Sequence, residues 1–211
     1  MNGKKEGDGS ETYLSGYVYA GSFANDKPHG KGVLLKGNHS YDGEFSEGKK
    51  HGYGVEQYPN GSVYEGQFAN NRKFGKGKLK KKDGNLFMRT NFEAIILKNV
   101  LGSYYQGEWY DDLKHGYGAE IIVDSTGETI YEGEFRYGLK DGFGRLTLPN
   151  DSYYYGYWHL NCKHGEFLHF DKDSEKYTLE YFQNDEEVES TECPQKFPPE
   201  LGITLMENFV F

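Results

Sequence analysis

The chain is poor in cysteine, methionine and proline, and it has no long apolar run. Two cysteines, Cys162 and Cys193, are too few for a disulfide framework and read as free thiols. No apolar stretch approaches the roughly 18 residues that span a bilayer. The opening MNGKKEGDGSETY lacks the apolar core of a secretory signal, Asn2 excludes myristoylation, and the residues 208–211, NFVF, hold no prenylation cysteine. A cytosolic chain is the expectation. The triplets at Asn38, Asn60 and Asn150 that could accept a glycan then read as turn chemistry.

Glycine and aromatics are abundant instead: 29 Gly, 19 Tyr and 14 Phe against 3 Met. That balance argues against a helical bundle and for strands joined by tight turns. The net charge of −9 is unevenly spread. Asp171 to Glu192 carries nine acids and two lysines, whereas Arg72 to Lys82 carries seven bases and no acid. With the body close to neutral, nucleic-acid binding has little support.

The chain repeats itself. Tyr-x-Gly-x-aromatic recurs at Tyr19-Gly21-Phe23, Tyr41-Gly43-Phe45, Tyr64-Gly66-Phe68, Tyr105-Gly107-Trp109, Tyr131-Gly133-Phe135 and Tyr154-Gly156-Trp158. Five units continue into Gly-x-Gly, and the sixth keeps only His164-Gly165. Steps between the tyrosines are 22, 23, 41, 26 and 23 residues, and the long step predicts a degenerate unit around Met88 to Phe92. Tyr177 to Tyr181 keeps the 23-residue phase and reads as a worn last unit. Within each unit the period of two marks a strand. Segments such as Pro59-Asn60-Gly61-Ser62 mark tight turns.

The units resemble MORN (membrane occupation and recognition nexus) repeats, over about residues 19 to 182. The fold expected is all-β: an elongated single-layer antiparallel meander of β-hairpins, with a short C-terminal capping helix at most. Residues 1–12 are expected to be disordered, 13–182 to form the array with its degenerate unit near 86–101, and 183–211 to form an acidic linker and tail. In the tail, Leu201, Leu205 and Phe209 fall on one helical stripe. It reads either as a cap on the last hairpin or as a docking peptide.

Candidate sites are weighed against this repeat. His29, His51, His115 and His164 each precede a repeat glycine, but hairpins stand roughly 9.6 Å apart, so histidines of successive rungs cannot share an ion. Phe74 and Asp141 fill the same slot elsewhere. The Gly-x-Gly runs lead into strands, not helices, so they do not build a phosphate loop. No catalytic constellation, metal site or cofactor is expected.

The basic patch Arg72, Lys73, Lys76, Lys78, Lys80, Lys81 and Lys82 has three readings. It is a solvated strand face, a contact for an acidic partner or anionic lipid, or a surface that the acidic tail covers. Partner binding is expected in an aromatic groove anchored by Tyr53, Trp109, Tyr117, Phe143 and Trp158, with Glu44, Glu65, Glu108 and Glu134 as a polar rim. The resemblance implies a non-enzymatic scaffold for protein partners in a cytoskeletal or ciliary setting, the alternative being a peripheral membrane adaptor. A helical peptide in the groove and a homodimer through end strands or tail stay open.

Overall fold

A computed structural model of the chain describes residues 3–81 and 102–193, and it places a strand at each of the six Tyr-x-Gly-x-aromatic units. Contacts divide the chain into two compact units, Met1–Lys114 and His115–Phe211. The first holds β1 (Gly7–Thr12), β2 (Val18–Ala24), β3 (Lys27–Lys36), β4 (His39–Ser46), β5 (Lys49–Gln57), β6 (Val63–Ala69), β7 (Arg72–Lys80) and β8 (Gly102–Tyr110). The second holds β9 (Leu113–Asp124, starting at the boundary), β10 (Gly127–Arg136), β11 (Leu139–Thr147), β12 (Tyr153–His159), β13 (Cys162–Asp171), β14 (Lys176–Gln183) and β15 (Glu186–Cys193). Within each unit every strand pairs antiparallel with its sequence neighbours. The open all-β meander is therefore present in both.

Two corrections concern the ends of the array. Gly7–Thr12 is not disordered but pairs with β2 from Gly7↔Phe23 to Thr12↔Val18. Glu186–Cys193 is a strand rather than a linker. Both segments lack apolar alternation and join the sheet through backbone pairing with their neighbours. The degenerate unit near 86–101, Lys82 and the tail that was to form a cap or docking peptide lie outside the described residues.

The core lies on one face of each unit, here called the ladder face. Tyr19, Tyr41, Tyr64 and Tyr131 are at most 1% exposed there, with Phe23, Phe45, Phe68, Trp109, Phe135 and Trp158 beside them. Tyr41 meets Phe45 edge-on at 5.1 Å and Phe68 of the next unit at 5.0 Å, and Tyr64 repeats this with Phe68 and Trp109 at 5.0 and 5.3 Å. Edge-to-face pairs of this kind add about 0.5–1.5 kcal/mol each beyond the area they bury. Each tyrosine hydroxyl donates to the carbonyl three residues on: Tyr19 to Ser22, Tyr41 to Glu44, Tyr64 to Gln67, Tyr105 to Glu108 and Tyr131 to Glu134, at 2.7–3.1 Å.

The glycines make room for these rings. Gly66 faces Gly77 across the strands, and a Cβ on Gly66 would stand 2.5 Å from the Gly77 Cα and 2.7 Å from the Tyr64 hydroxyl. The ring over the glycine pair belongs to the tyrosine two residues earlier on the same strand, not to the next strand. In the last rung Phe167 takes over: fully buried, its ring lies where a Cβ on Gly156 would meet it at 2.6 Å.

That last rung also departs from the expected phase. Register runs Tyr154↔His169↔Thr178, a nine-residue step from His169 to Thr178, where Glu56 to Tyr64 and Leu146 to Tyr154 are eight. One extra residue exchanges the faces of a strand. Thr178, Glu180 and Phe182 therefore continue the ladder face, while Tyr177 and Tyr181 point to the other side.

Turns complete the frame. Among the described residues seven two-residue connections have positive φ at both positions, including Asn25-Asp26, Asn70-Asn71, Asp111-Asp112 and Asn184-Asp185, as type I′ hairpins require. The second turn residue also clamps the preceding hairpin. Asn71 donates its N–H to the Lys50 carbonyl at 3.0 Å, and its side chain accepts the Lys50 N–H at 2.9 Å. Asp26 with Lys5, Asp112 with Lys73, Asn161 with Lys140 and Asp185 with Lys163 repeat both bonds. Where the clamped residue is Pro28, which has no N–H, the turn residue is Gly48, which has no side-chain acceptor, and only the Gly48 N–H to Pro28 carbonyl bond remains, at 2.9 Å.

Candidate functional site

A period of two sends the residues between the ladder positions to the opposite side, the open face. This divides the expected anchors. Trp109 and Trp158 stand two residues past a glycine, on the ladder face, at 5% and 3% exposure. Their indole nitrogens donate to the Gly77 and Gly144 carbonyls at 3.1 and 3.2 Å. They are core residues and do not line a groove with Tyr53, Tyr117 and Phe143.

On the open face of the first unit Tyr53 is 51% exposed and Val55 38%. The Tyr53 hydroxyl donates to the Glu65 carboxylate. Burial first, then this hydrogen bond and the carboxylate's charge, push the phenol up to about 12. Glu44 is tied into the backbone: its Oε1 accepts the Tyr53 N–H at 3.2 Å, and its carboxylate fills the space over Gly52. Gln67 does the same for the Lys76 N–H at 2.9 Å, and Glu134 for the Phe143 N–H at 3.1 Å. Glu44 and Glu134 therefore close a bulge in the strand before they offer a rim. Glu108 stands on the same face in register with Lys76.

The basic patch is split as well. Lys76, Lys78 and Lys80 share the open face, as alternation requires, but Lys78 lies opposite Glu65 and Gln106, and Lys76 opposite Glu108. Opposite charges across a strand pair attract and compensate one another. Lys81 is exposed at the strand end, where its N–H donates to the Ser103 carbonyl at 2.9 Å. Arg72 forms an ion pair with Asp111, which raises the guanidinium further. Lys73 leaves the patch altogether. It points to the ladder face, its side chain 14% exposed, with its ammonium 5.3–5.5 Å from the Tyr58, Tyr64 and Trp109 rings.

Lys73 belongs to a series that sequence reasoning missed. Lys50 lies over Tyr41 and Phe68, Lys114 over Tyr105, Lys140 over Tyr131 and Trp158, and Lys163 over Tyr154 and Phe182. Cation–π contact thus closes the ladder face with the protein's own lysines. The available signal was a lysine two residues before the repeat glycine in five of the six units, Pro28 standing there in the first.

A buried polar cluster was missed too. Glu56, 4% exposed, holds His39 Nε2 at 2.7 Å, the Tyr58 hydroxyl at 3.0 Å and the Lys50 ammonium. His39 Nδ1 faces the Tyr17 hydroxyl at 3.0 Å. Among the described residues no group of three histidines, cysteines or acids could hold a metal ion. Nor is any described helix long and apolar enough to cross a membrane.

On the second unit's open face Phe143, 56% exposed, stands edge-on to Tyr157 at 5.5 Å and inclined to Tyr155 at 6.4 Å. Tyr117 lies opposite Glu134 in register. Burial, with Glu132, Tyr155 and Glu134 nearby, raises the Tyr117 phenol, and burial with Glu134 raises that of Tyr155. Tyr117, Phe143 and Glu134 are thus brought together, and Tyr155 and Tyr157 join them unforeseen.

Comparison with known proteins agrees with this architecture. Segments 19–40, 41–63, 64–86, 105–126 and 131–153 match the MORN repeat. MORN repeat-containing protein 3 of Xenopus laevis is 35% identical over 78 residues, which make up 34% of this chain and 32% of that protein. Alsin of Rattus norvegicus is 36% identical over 59 residues, 26% of this chain and 3% of Alsin. The chain therefore matches about a third of the first relative's length and a small part of the second's. The MORN repeat family is a non-enzymatic repeat family, and its repeats usually mediate protein or membrane interactions. The matched segments take up more than half of the sequence, and this chain belongs to the MORN repeat family.

Proposed function

We propose that the protein is a non-enzymatic scaffold that binds partner proteins through the open faces of its repeat units. One observation carries this reading. The ladder face is consumed by its own rings and lysines, while Tyr53, Phe143 and Tyr157 stay 39–56% exposed on the open faces. Exposed aromatics in groups are common anchors of protein interfaces. The resemblance extends the reading to a cytoskeletal or ciliary setting. A membrane adaptor role for the basic patch is less well supported, because Glu65 and Glu108 stand in register with Lys78 and Lys76 and Lys73 is turned away.

The test is affinity capture with the wild-type chain and with Tyr117→Ala/Phe143→Ala, both checked for an unchanged melting temperature. Specific partners should be lost from the double variant and retained by Lys78→Glu. An unchanged partner set would overturn the reading. Binding of either chain to anionic vesicles that Lys78→Glu abolishes would favour the membrane role instead.

A further inference from the structure

On three neighbouring strands of the second unit, one internal contact shows how a cation is held. Arg145 on β11 lies with its guanidinium 4.0 Å from the ring centre of Tyr153 on β12; Glu132 on β10 is its register partner, but the two make no ion pair. A planar guanidinium can stack on a ring while its edge faces a carboxylate, which an ammonium cannot do.

One pleat along the same strands, an aromatic ring and a carboxylate recur around Phe143. Phe143 stands two residues before Arg145, Tyr155 two after Tyr153, and Glu134 two after Glu132, all on the open face. Tyr157, in register with Phe143, supplies a second wall at 80° to its ring. Glu134 is exposed, and its bond to the Phe143 N–H holds the carboxylate beside the rings while occupying one of its four lone-pair positions. Two aromatic walls and an anchored acid form a corner for a positive, planar group.

Resting on the open-face reading above, we propose that Phe143, Tyr155, Tyr157 and Glu134 form a recognition site for an arginine side chain of the partner. The partner segment is accordingly basic, complementing the Glu134 carboxylate on this face. Guanidinium stacking on Phe143 and a charge-assisted bond to Glu134 supply the selectivity, so arginine is preferred over lysine.

The folded protein itself offers the variant that tests the charge. Gln67 occupies the place of Glu134 in the first unit and accepts the equivalent N–H at 2.9 Å, so Glu134→Gln removes the charge and keeps the bulge. The probe is an acetylated, amidated hexa-arginine peptide, titrated by calorimetry at moderate salt, with hexa-lysine as comparison. Hexa-arginine should bind more tightly than hexa-lysine. Glu134→Gln and Phe143→Leu should each weaken it about 3- to 5-fold, and Glu189→Gln on β15 should not.

Equal weakening by Glu189→Gln, or none by Glu134→Gln and Phe143→Leu, would reduce the effect to diffuse attraction and overturn the site. Failure of the underlying reading looks different. If the site binds as expected but partners are unchanged in Tyr117→Ala/Phe143→Ala, the arginine site stands and the docking surface falls. If partners are lost there but kept by Glu134→Gln, the docking surface stands and the arginine assignment falls.

Discussion

Glu56 is nearly sealed from solvent, yet its carboxyl is held below the usual value of 4.5. Burial is the largest influence and opposes ionisation, but the Lys50 ammonium, His39 and the Tyr58 hydroxyl together outweigh it. A carboxyl lowered in the folded state contributes stability that is present above its unfolded value and lost as the pH falls through the folded one. Thermal melts should therefore show the first unit weakening below about pH 4.5, and Glu56→Gln should flatten that dependence and cost about 1–3 kcal/mol at neutral pH. A pH profile unchanged by Glu56→Gln would show that other acids set it. Little of this cluster was legible beforehand. His39 and Glu56 stand outside the repeat pattern, and only the register Tyr41↔Glu56↔Tyr64 brings the acid under Lys50. The division of the anchors, in contrast, was open to reading: Trp109 and Trp158 share the parity of the repeat glycines, which alone assigns them to the ladder.

At the scale of the hairpin, the clamp between successive turns acts as a matched pair. Lys50 and Asn71 use both an N–H and a side-chain acceptor, and Pro28 and Gly48 dispense with both. Pro28→Ala would create an N–H facing a turn that cannot accept it, at a cost of about 1 kcal/mol or more. Gly48→Asn added to it should recover most of that loss, because Gly48 has φ +80°, a conformation that asparagine tolerates. Chemical denaturation of the two single variants and the double variant measures the coupling, and strict additivity would refute the matched clamp. The hairpins themselves were plain from Tyr-x-Gly-x-aromatic, because the ladder needs those residues at that period. β1 and β15 were not, since GDGSET and EEVESTEC join the sheet through the backbone and leave no periodic trace. The exchange of faces at Thr178 escaped for another reason: it depends on a single residue in a connection, where composition carries no count.

For the molecule as a whole, both units divide labour in the same way, with one face closed by its own packing and the other left to surroundings. The outermost described strands are acidic, Asp8 and Glu11 on β1 and Glu186, Glu187, Glu189 and Glu192 on β15, so like charges oppose strand pairing between copies. The lysines over the rings have a practical consequence for anyone handling the protein. Lys50 and Lys73 keep only 14% of their side-chain surface, whereas Lys76 and Lys78 are exposed on the open face. In an amine-acylation time course read by peptide mass, Lys76 and Lys78 should be modified first, and Lys50 and Lys73 only as their rungs open. Equal rates at all four would contradict the packing described. Each shielded lysine thus serves as a built-in gauge of its own rung, so that fraying could be followed hairpin by hairpin without introducing a label.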